Sequence, residues 1–216
     1  MLTSSFDLQG IIFSYLALLV TIIGCELSLS YLTKSYALDC IEANDLVNSE
    51  GRVTFNPLRY FDLFGTIIFP LIMLLLQSPI LFGWSKTLWL NMQKVVNRHG
   101  INLAILLASS GVFFHFFIAF LASCLITWNP LVQLEGFWQT LVLFNVFFVV
   151  IKLCPILPYD GLKILSYIGL KFGTDALMRF YWMLIPYGMI ILIILILTPL
   201  KGMLLVPANL MLNFLL

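Results

Sequence analysis

Charged side chains are scarce in this sequence. Lys, Arg, Asp and Glu together make up 10% of its 216 residues, whereas a soluble globular domain has about 25%. This scarcity excludes an ordinary soluble domain, and the net charge of +1 leaves no strongly basic surface of the kind that binds nucleic acid. Hydrophobic residues make up 62% of the chain instead. The composition therefore predicts an all-α polytopic membrane protein whose main surroundings are the lipid bilayer.

Paired cysteines are also missing. The four cysteines are scattered without any paired spacing: Cys25, Cys40, Cys124 and Cys154. Such scattered positions, mostly in or beside apolar runs, favour reduced packing residues over disulfides or zinc ligands. We expect no cleavable signal peptide either, because the first residues lack a basic segment and the first apolar run is long enough to remain as a helix.

Long apolar runs are what the sequence does contain. Three of them are long enough to cross a bilayer: residues 11–32, 101–127 and 136–153. We expect a closing helical hairpin from residues 180–197 and 203–216, and a single membrane domain over residues 1–216. The alternating stretch Arg-Val-Thr-Phe-Asn-Pro at residues 52–57 predicts one short strand before a turn.

Basic residues near the ends of the runs predict the orientation. They gather before the 101–127 run and after the 136–153 run, at Lys86, Lys94, Arg98, Lys163, Lys171 and Arg179. Both groups then lie in the cytoplasm, and the N-terminus lies outside. Residues 64–83 have basic residues on both flanks and contain Pro70 and Pro79. A single crossing would place the basic residues of its two flanks on opposite sides of the membrane. We therefore expect a re-entrant or surface hairpin bent at Pro70.

The most unusual stretch is Lys-Leu-Cys-Pro-Ile-Leu-Pro-Tyr-Asp-Gly at residues 152–161, directly after an apolar run. Prolines end a helix and leave carbonyl groups without partners, which at membrane depth is tolerated only inside protein or beside a wet cavity. A carboxylate there, Asp160, is costly and indicates a site. Lys152 in the same stretch, Glu26 and His115 are the other candidates.

These residues allow four interpretations. Lys152 and Glu26 reach the interface and do nothing else; or Lys152 forms an internal ion pair between Glu26 and Asp160; or Glu26, Asp160 and His115 hold a metal ion; or the acids form a proton or ion path. A lone histidine on an apolar helix, such as His115, is more typical of a hydrogen-bonded interior residue than of a ligand. Asn145, seven residues before Lys152, is expected to face the same way.

Three stretches, in this order, resemble the short bacterial branch of the site-2 protease family, the intramembrane zinc metalloproteases. Residues 51–66, Gly-Arg-Val-Thr-Phe-Asn-Pro-Leu-Arg-Tyr-Phe-Asp-Leu-Phe-Gly-Thr, resemble that branch's Gly-Arg-Leu-Thr-Leu-Asn-Pro…Asp-Pro-Phe-Gly-Thr. Residues 78–86, Ser-Pro-Ile-Leu-Phe-Gly-Trp-Ser-Lys, are similar to its Ser-Pro…Phe-Gly-Trp-Ala-Lys, and residues 152–161 to its Asn-Leu-x-Pro-x-Pro-Pro-Leu-Asp-Gly. The resemblance implies a site-2-protease-like core of three spans over residues 11–165, followed by a connector and hairpin over residues 166–216.

The catalytic groups of that family are missing from this sequence. Asp160 matches the aspartate that completes the family's zinc site. Counting back from Asp39, which matches the family's Gly-Asp, places the His-Glu-x-x-His motif on residues that cannot perform its chemistry. Glu26 stands at the first histidine, Leu27 at the catalytic glutamate and Ser30 at the second histidine. No His-Glu-x-x-His occurs anywhere in the sequence.

Two further family positions have changed. The asparagine that opens the third-ligand motif is Lys152, and the family's Ala-Gly-Pro-x-x-Asn is most similar to Ser110-Gly-Val-Phe-Phe-His115. Because peptide hydrolysis in this family needs a zinc-bound water and a base, we expect neither bound zinc nor cleavage. The resemblance therefore implies a pseudoprotease of the bacterial cytoplasmic membrane, which binds a membrane protein or a transmembrane segment. A lysine ammonium at the metal's place, between Glu26 and Asp160, would supply the positive charge that the metal supplies in the family.

Two alternatives stay open at the level of sequence. The first is an active intramembrane metalloprotease with zinc on an atypical set, Glu26, Asp160 and His115. The second is a small proton- or ion-conducting membrane protein that uses the buried acids.

Overall fold

The computed structural model describes residues 8–41, 53–76, 81–88, 90–128, 132–155 and 159–216. In this part of the chain all regular secondary structure is helical, which confirms the all-α prediction. The α-helices in chain order are α1 (Leu8–Tyr36), α2 (Phe69–Leu75), α3 (Met92–His99), α4 (Ile101–Trp128), α5 (Glu135–Leu153), α6 (Asp160–Lys171), α7 (Ala176–Leu184), α8 (Gly188–Leu197) and α9 (Gly202–Leu215).

Within the described residues, α1, α4 and α5 are the helices long and apolar enough to cross a membrane. The shortest of them, α5, has 19 residues. At a rise of about 1.5 Å per residue it is about 28 Å long, which is close to the ~30 Å thickness of a hydrocarbon core. The chain is therefore an integral membrane protein in contact with lipid.

Small side chains let α1, α4 and α5 pack closely. Ala17 of α1, Ala119 of α4 and Val142 of α5 are fully buried in one cluster. Small residues are typical of helix contacts in membranes, where lipid is as apolar as the helix surface and close packing supplies the attraction. Leu204 and Ala208 of α9 bury their side chains in the same cluster, so α9 is part of this core.

A second cluster lies at the other end of the bundle, where α1 ends and α4 begins. It contains Ala37, Ala104 and Tyr167, which come from the end of α1, from α4 and from α6. Lys171 at the end of α6 donates a hydrogen bond to the Asn102 side chain at the start of α4, at 2.9 Å. The helix α6 follows α5 and reaches the end of the bundle where α4 begins. Together, α5 and α6 therefore extend along the same length of the bundle as α4 alone.

The segment between α1 and α3 turns back on itself. A π-helix, Leu63–Ile68, runs into α2, and Pro70 lies in the first turn of α2, a position that tolerates a missing N–H. The Trp84 N–H donates to the Gly65 carbonyl at 3.1 Å, so both ends of the segment lie side by side. The bend predicted at Pro70 is wrong, because the helix continues through it. Pro79 lies outside the described residues.

The short strand predicted for residues 52–57 is wrong in the part that the structure describes. Residues 53–55 form bends, and Pro57–Tyr60 is a 3-10 helix. The Asn56 side chain accepts the Leu58 N–H at 3.0 Å and so caps this helix. An Asn-Pro pair that starts a helical turn therefore outweighs the alternating pattern before it. The first residue of the predicted strand lies outside the described residues.

The C-terminal region differs from the predicted hairpin in its first helix. The single helix predicted at residues 180–197 is divided into α7 and α8 by a 3-10 turn, Ile185–Tyr187, which contains Pro186. A second 3-10 turn, Pro199–Lys201, separates α8 from α9. Proline explains the division, because it removes a helical hydrogen bond and clashes with the preceding turn.

Candidate functional site

A salt bridge lies at the break between α5 and α6. Lys152 Nζ donates to Asp160 Oδ2 at 2.9 Å. Lys152 is in the last turn of α5, and Asp160 is the first residue of α6. Their side chains are 24% and 26% exposed. Pairing is the expected response to burial, because an unpaired charge in apolar surroundings costs several kcal/mol.

Cys25 of α1 and Gly111 of α4 complete the surroundings of this salt bridge. Lys152 Nζ lies 3.4 Å from Cys25 Sγ. A Cβ added at Gly111 would lie 2.6 Å from Lys152 Nζ, 3.0 Å from Asp160 Oδ2 and 3.1 Å from Cys25 Sγ. A side chain at this position would displace the ion pair, so the close approach requires glycine. Sequence reasoning did not assign Cys25 or Gly111 to the site, and the run of small residues at 109–111 was the available signal.

The salt bridge lies deep within the span formed by α4. Gly111 is about 15 Å along the helix axis from the start of α4. The start of α6 lies close to the end of α5, since a Cβ at Gly161 would lie 2.6 Å from the Leu153 carbonyl oxygen. At these two helix ends Lys152 contacts Cys25 of α1, and Asp160 lies beside Gly111 of α4.

Glu26 has a different partner from the one predicted. Its Oε2 accepts the backbone N–H of Leu88 at 3.3 Å. No salt bridge joins Glu26 to Lys152 in the part of the chain that the structure describes. Glu26 therefore joins α1 to the non-helical residues 81–88, while among the described residues Asp160 is the acid that pairs directly with Lys152.

The two other positions matched to the family's motif make structural contacts. Leu27 packs against the cluster that contains Tyr60. Ser30 is buried and hydrogen-bonded to Tyr60, whose hydroxyl donates to the Thr54 carbonyl at 3.0 Å. Neither Leu27 nor Ser30 offers a base or a good zinc ligand.

A buried hydrogen-bond network joins α1, α4 and α5. His115 is 1% exposed, and its Nδ1 lies 2.9 Å from Asn145 Oδ1. Asn145 Nδ2 donates to Thr21 Oγ1 at 3.0 Å and to the Leu141 carbonyl at 2.8 Å. Because both amide hydrogens of Asn145 are used, its Oδ1 accepts and His115 Nδ1 donates. The expected interior role of His115 and Asn145 is therefore what the structure contains.

The atypical zinc set is not assembled in the described residues. No group of three potential ligand atoms within 4.8 Å of one another includes Glu26, His115 or Asp160 there. His115 Nδ1 is bonded to Asn145, and Asp160 is bonded to Lys152. A zinc ion at this place would have to displace both of these hydrogen bonds.

A group that does meet this criterion lies beyond the end of α1. It consists of Asp39, Cys40 and His99. Arg98 Nη1 lies 2.7 Å from Asp39 Oδ2, and His99 Nε2 lies 2.9 Å from Asp39 Oδ1. The hydrogen bonds from Arg98 and His99 hold the pKa of Asp39 well below its usual range, whereas burial raises the pKa of the Cys40 thiol. No local pattern in the chain points to this group, because His99 follows Asp39 by 60 residues.

No protein-family model matches this chain, and neither a curated protein nor a solved structure matches it. The resemblance to the site-2 proteases therefore depends on the sequence stretches themselves, of which residues 51–52, 78–80 and 156–158 lie outside the described part.

Proposed function

We propose that the protein is a catalytically inactive relative of the site-2 proteases, which binds a membrane protein or a transmembrane segment without cleaving it. One observation carries the proposal. Lys152 Nζ lies 2.9 Å from Oδ2 of Asp160, the residue matched to the zinc-binding aspartate. The ammonium supplies the positive charge that a metal ion would otherwise supply, and it occupies the oxygen that would bind the ion.

The missing catalytic groups support the same proposal. Hydrolysis of a peptide bond by a zinc enzyme needs a metal to acidify water and a base within hydrogen-bond reach. Leu27 cannot accept a proton, and Ser30 is hydrogen-bonded to Tyr60. Glu26 accepts the Leu88 N–H instead of holding a ligand position. These contacts hold the fold together and supply neither a base nor a zinc ligand, so the arrangement does not support hydrolysis.

The surface of α4 supports an apolar partner. Four phenylalanines on this helix are 50–66% exposed: Phe113, Phe116, Phe117 and Phe120. Such rings suit the hydrocarbon of the bilayer, and a transmembrane segment offers them the same apolar environment. A partner helix would therefore exchange with lipid at this face without exposing polar groups.

Restoring the family's motif tests the proposal. The variant carries Glu26→His, Leu27→Glu, Ser30→His and Lys152→Asn together, and its zinc content is measured by elemental analysis after purification in detergent. We expect one zinc per chain, because the changes supply two nitrogen ligands and remove the competing ammonium. Size-exclusion chromatography checks that the variant is folded.

Two matched changes make the result specific. All chains carry Cys40→Ser, which removes a ligand of the separate Asp39 group, and the restored variant is also made with Asp160→Asn. We expect zinc to be lost with Asp160→Asn. Zinc in the unrestored chain that disappears with Asp160→Asn would overturn the proposal in favour of an atypical metalloprotease. A folded restored variant that gains no zinc would overturn the assignment of Asp160 to the family's metal position.

A further inference from the structure

Three side chains with metal-binding atoms converge just beyond the end of α1, outside the spans. The potential ligand atoms of Asp39, Cys40 and His99 lie within 4.8 Å of one another. Asp39 Oδ1 is 2.9 Å from His99 Nε2 and 3.6 Å from Cys40 Sγ. Tetrahedral zinc with bonds of about 2.0–2.3 Å needs ligand atoms about 3.3–3.8 Å apart. The Asp39–Cys40 distance lies within this range and the Asp39–His99 distance is somewhat shorter, so small side-chain movements would bring the three atoms to coordination distance.

We propose that Asp39, Cys40 and His99 bind a zinc ion, with water at the fourth position. The donor set fits the ion by type, since sulfur, imidazole nitrogen and carboxylate oxygen are its usual ligands. It also fits by charge, because a thiolate and a carboxylate neutralise a doubly charged cation. The site is separate from the Lys152–Asp160 salt bridge, and it does not depend on the function proposed above.

The backbone holds the two contributing segments together before any ion binds. The Asn91 N–H donates to the Cys40 carbonyl at 3.0 Å, and Ile41 forms an isolated antiparallel bridge with Leu90. Asn91 also caps the start of α3, and α3 ends at His99. Folding has therefore already ordered these two segments, which lowers the entropic cost of binding an ion.

The two oxygens of Asp39 have different partners. Oδ2 accepts a hydrogen bond from Arg98 at 2.7 Å, which leaves Oδ1 directed towards Cys40 and His99. Ligating carboxylates in metal sites are commonly held by such a second hydrogen bond. Arg98 and Lys94, whose Nζ donates to the Asp39 carbonyl, also oppose a cation by their charge. Calcium and magnesium fit the group poorly because they need several oxygen ligands, whereas one carboxylate, a sulfur and an imidazole nitrogen suit an ion that binds nitrogen and sulfur strongly.

The burial of the ligands indicates what the ion would do. Cys40 is fully buried, whereas the side chains of His99 and Asp39 are 33% and 43% exposed. Because the sulfur is buried and the two other ligands are partly exposed, the site has room for a water ligand on its solvent side. The ion would join the end of α1 to α3, which leads through Gly100 (φ 88°) directly into α4. Its role would be to clamp two spans together at their connecting end.

Cobalt(II) is the probe that tests this proposal, because it takes zinc sites and absorbs light. Full-length protein in detergent is stripped with chelator and titrated with cobalt. We expect one equivalent to bind, with visible bands of a tetrahedral ion and a near-ultraviolet thiolate-to-cobalt band that zinc abolishes. The thiolate band should vanish in Cys40→Ser and persist in Cys124→Ser, the matched change at an exposed free cysteine.

Thermal unfolding gives a second readout that separates binding from folding. Zinc should raise the melting temperature of the wild-type chain and of Asp160→Asn. It should leave that of His99→Gln and Asp39→Asn unchanged at concentrations at least 10-fold above those that saturate the wild type. Comparing each variant with and without zinc removes any direct effect of the substitution on stability.

Three results would overturn the proposal. These are a wild-type chain that binds neither cobalt nor zinc, a cobalt spectrum unchanged by Cys40→Ser, and binding that is lost with Asp160→Asn but kept with His99→Gln. The last result would instead locate the ion near the Lys152–Asp160 salt bridge and would count against the inactive-protease proposal.

Discussion

Lys152 receives contacts from groups on three other helices. Its Nζ lies 2.9 Å from Asp160 Oδ2 and 3.4 Å from Cys25 Sγ, and Gly111 leaves the space that the pair occupies. The charge is therefore tolerated only while its partner and its space are both present. Glu26 does not share this role, because its carboxylate accepts a backbone N–H from Leu88.

Lys152→Met alone should lower the free energy of unfolding by about 3 kcal/mol, because it leaves the Asp160 carboxylate without its partner. We place the value at the low end of the range for buried pairs, since a quarter of each side chain is exposed. Unfolding by SDS titration in mixed micelles measures the change.

The double variant Lys152→Met with Asp160→Asn should recover much of this loss, and adding Glu26→Gln should change little further. If Lys152→Met costs the same in the wild-type and Asp160→Asn backgrounds, the two side chains are not coupled and the pair is not present in solution.

Gly111→Ala should destabilise the protein by about 1–3 kcal/mol, the usual cost of inserting a methyl group into a filled interior. Its Cβ would lie 2.6 Å from Lys152 Nζ, with two further atoms close by. Gly136→Ala is the matched control, because its nearest atom would be at 3.6 Å and alanine favours a helix. Equal unfolding curves for the two variants would argue against the close approach at Gly111.

At the scale of helices, polar contacts specify which faces meet. The His115–Asn145–Thr21 network connects α4, α5 and α1 at one depth. The non-helical residues 81–88 join these three helices as a fourth segment, because Ser85 Oγ donates to the Ile22 carbonyl at 3.1 Å. Apolar faces alone would allow the helices to slide or rotate, so these hydrogen bonds fix one register.

Asn145→Leu should lower stability by about 1–3 kcal/mol, since it leaves the buried Nδ1 of His115 without its hydrogen-bond partner and removes the donor to Thr21 Oγ1, which keeps its bond to the Ala17 carbonyl. Gln139→Leu on the same helix is the control, because Gln139 is exposed and its side chain donates to Glu135 one turn away on the same helix. The SDS-unfolding assay compares the two. A double variant with His115→Phe should cost less than the sum of the single changes, and strict additivity would rule out the network as a unit.

At the scale of the whole molecule, the two ends of the bundle differ in chemistry. At one end Gln9 donates to the Gln133 carbonyl, at 3.4 Å. At the other end Lys171 meets Asn102, and Asp39 meets Arg98. Basic residues thus belong to the second end, which the sequence-based prediction places in the cytoplasm, with the N-terminus outside.

Cysteine labelling checks this orientation. In a Cys124→Ser background, an impermeant maleimide added to intact cells should label Gln133→Cys. It should label Phe172→Cys, whose native side chain is 79% exposed, only after permeabilisation. The two sites lie at opposite ends of the bundle and serve as controls for each other. The reverse pattern would show that the N-terminus faces the cytoplasm.

Much of the fold and part of the site follow from the sequence. Long apolar runs predict α1, α4 and α5, because a helix is the structure that satisfies its own backbone in lipid. The prolines near residues 154–159 predict the break after α5. The cost of an unpaired charge favours a partner for Lys152, and the sequence offered both Glu26 and Asp160, of which the structure pairs Asp160 with it. The predictions of a strand at residues 52–57 and of a bend at Pro70 were wrong. The helix cap at Asn56 outweighed the alternating pattern, and Pro70 lies at a helix position that tolerates proline.

By itself, then, the sequence determined the class of protein, its spans and the break after α5, since run length and proline act over short distances along the chain; it allowed the ion pair as one of four interpretations. Only the tertiary structure decided that Glu26 bonds to Leu88, that Gly111 makes room for the ion pair and that Cys40 meets His99. These contacts join residues that are far apart in the sequence. Cys25 and Gly111, which both lie beside the ion pair, are 86 positions apart. Which residues meet across such gaps depends on how whole helices pack, and no local pattern in the chain encodes it.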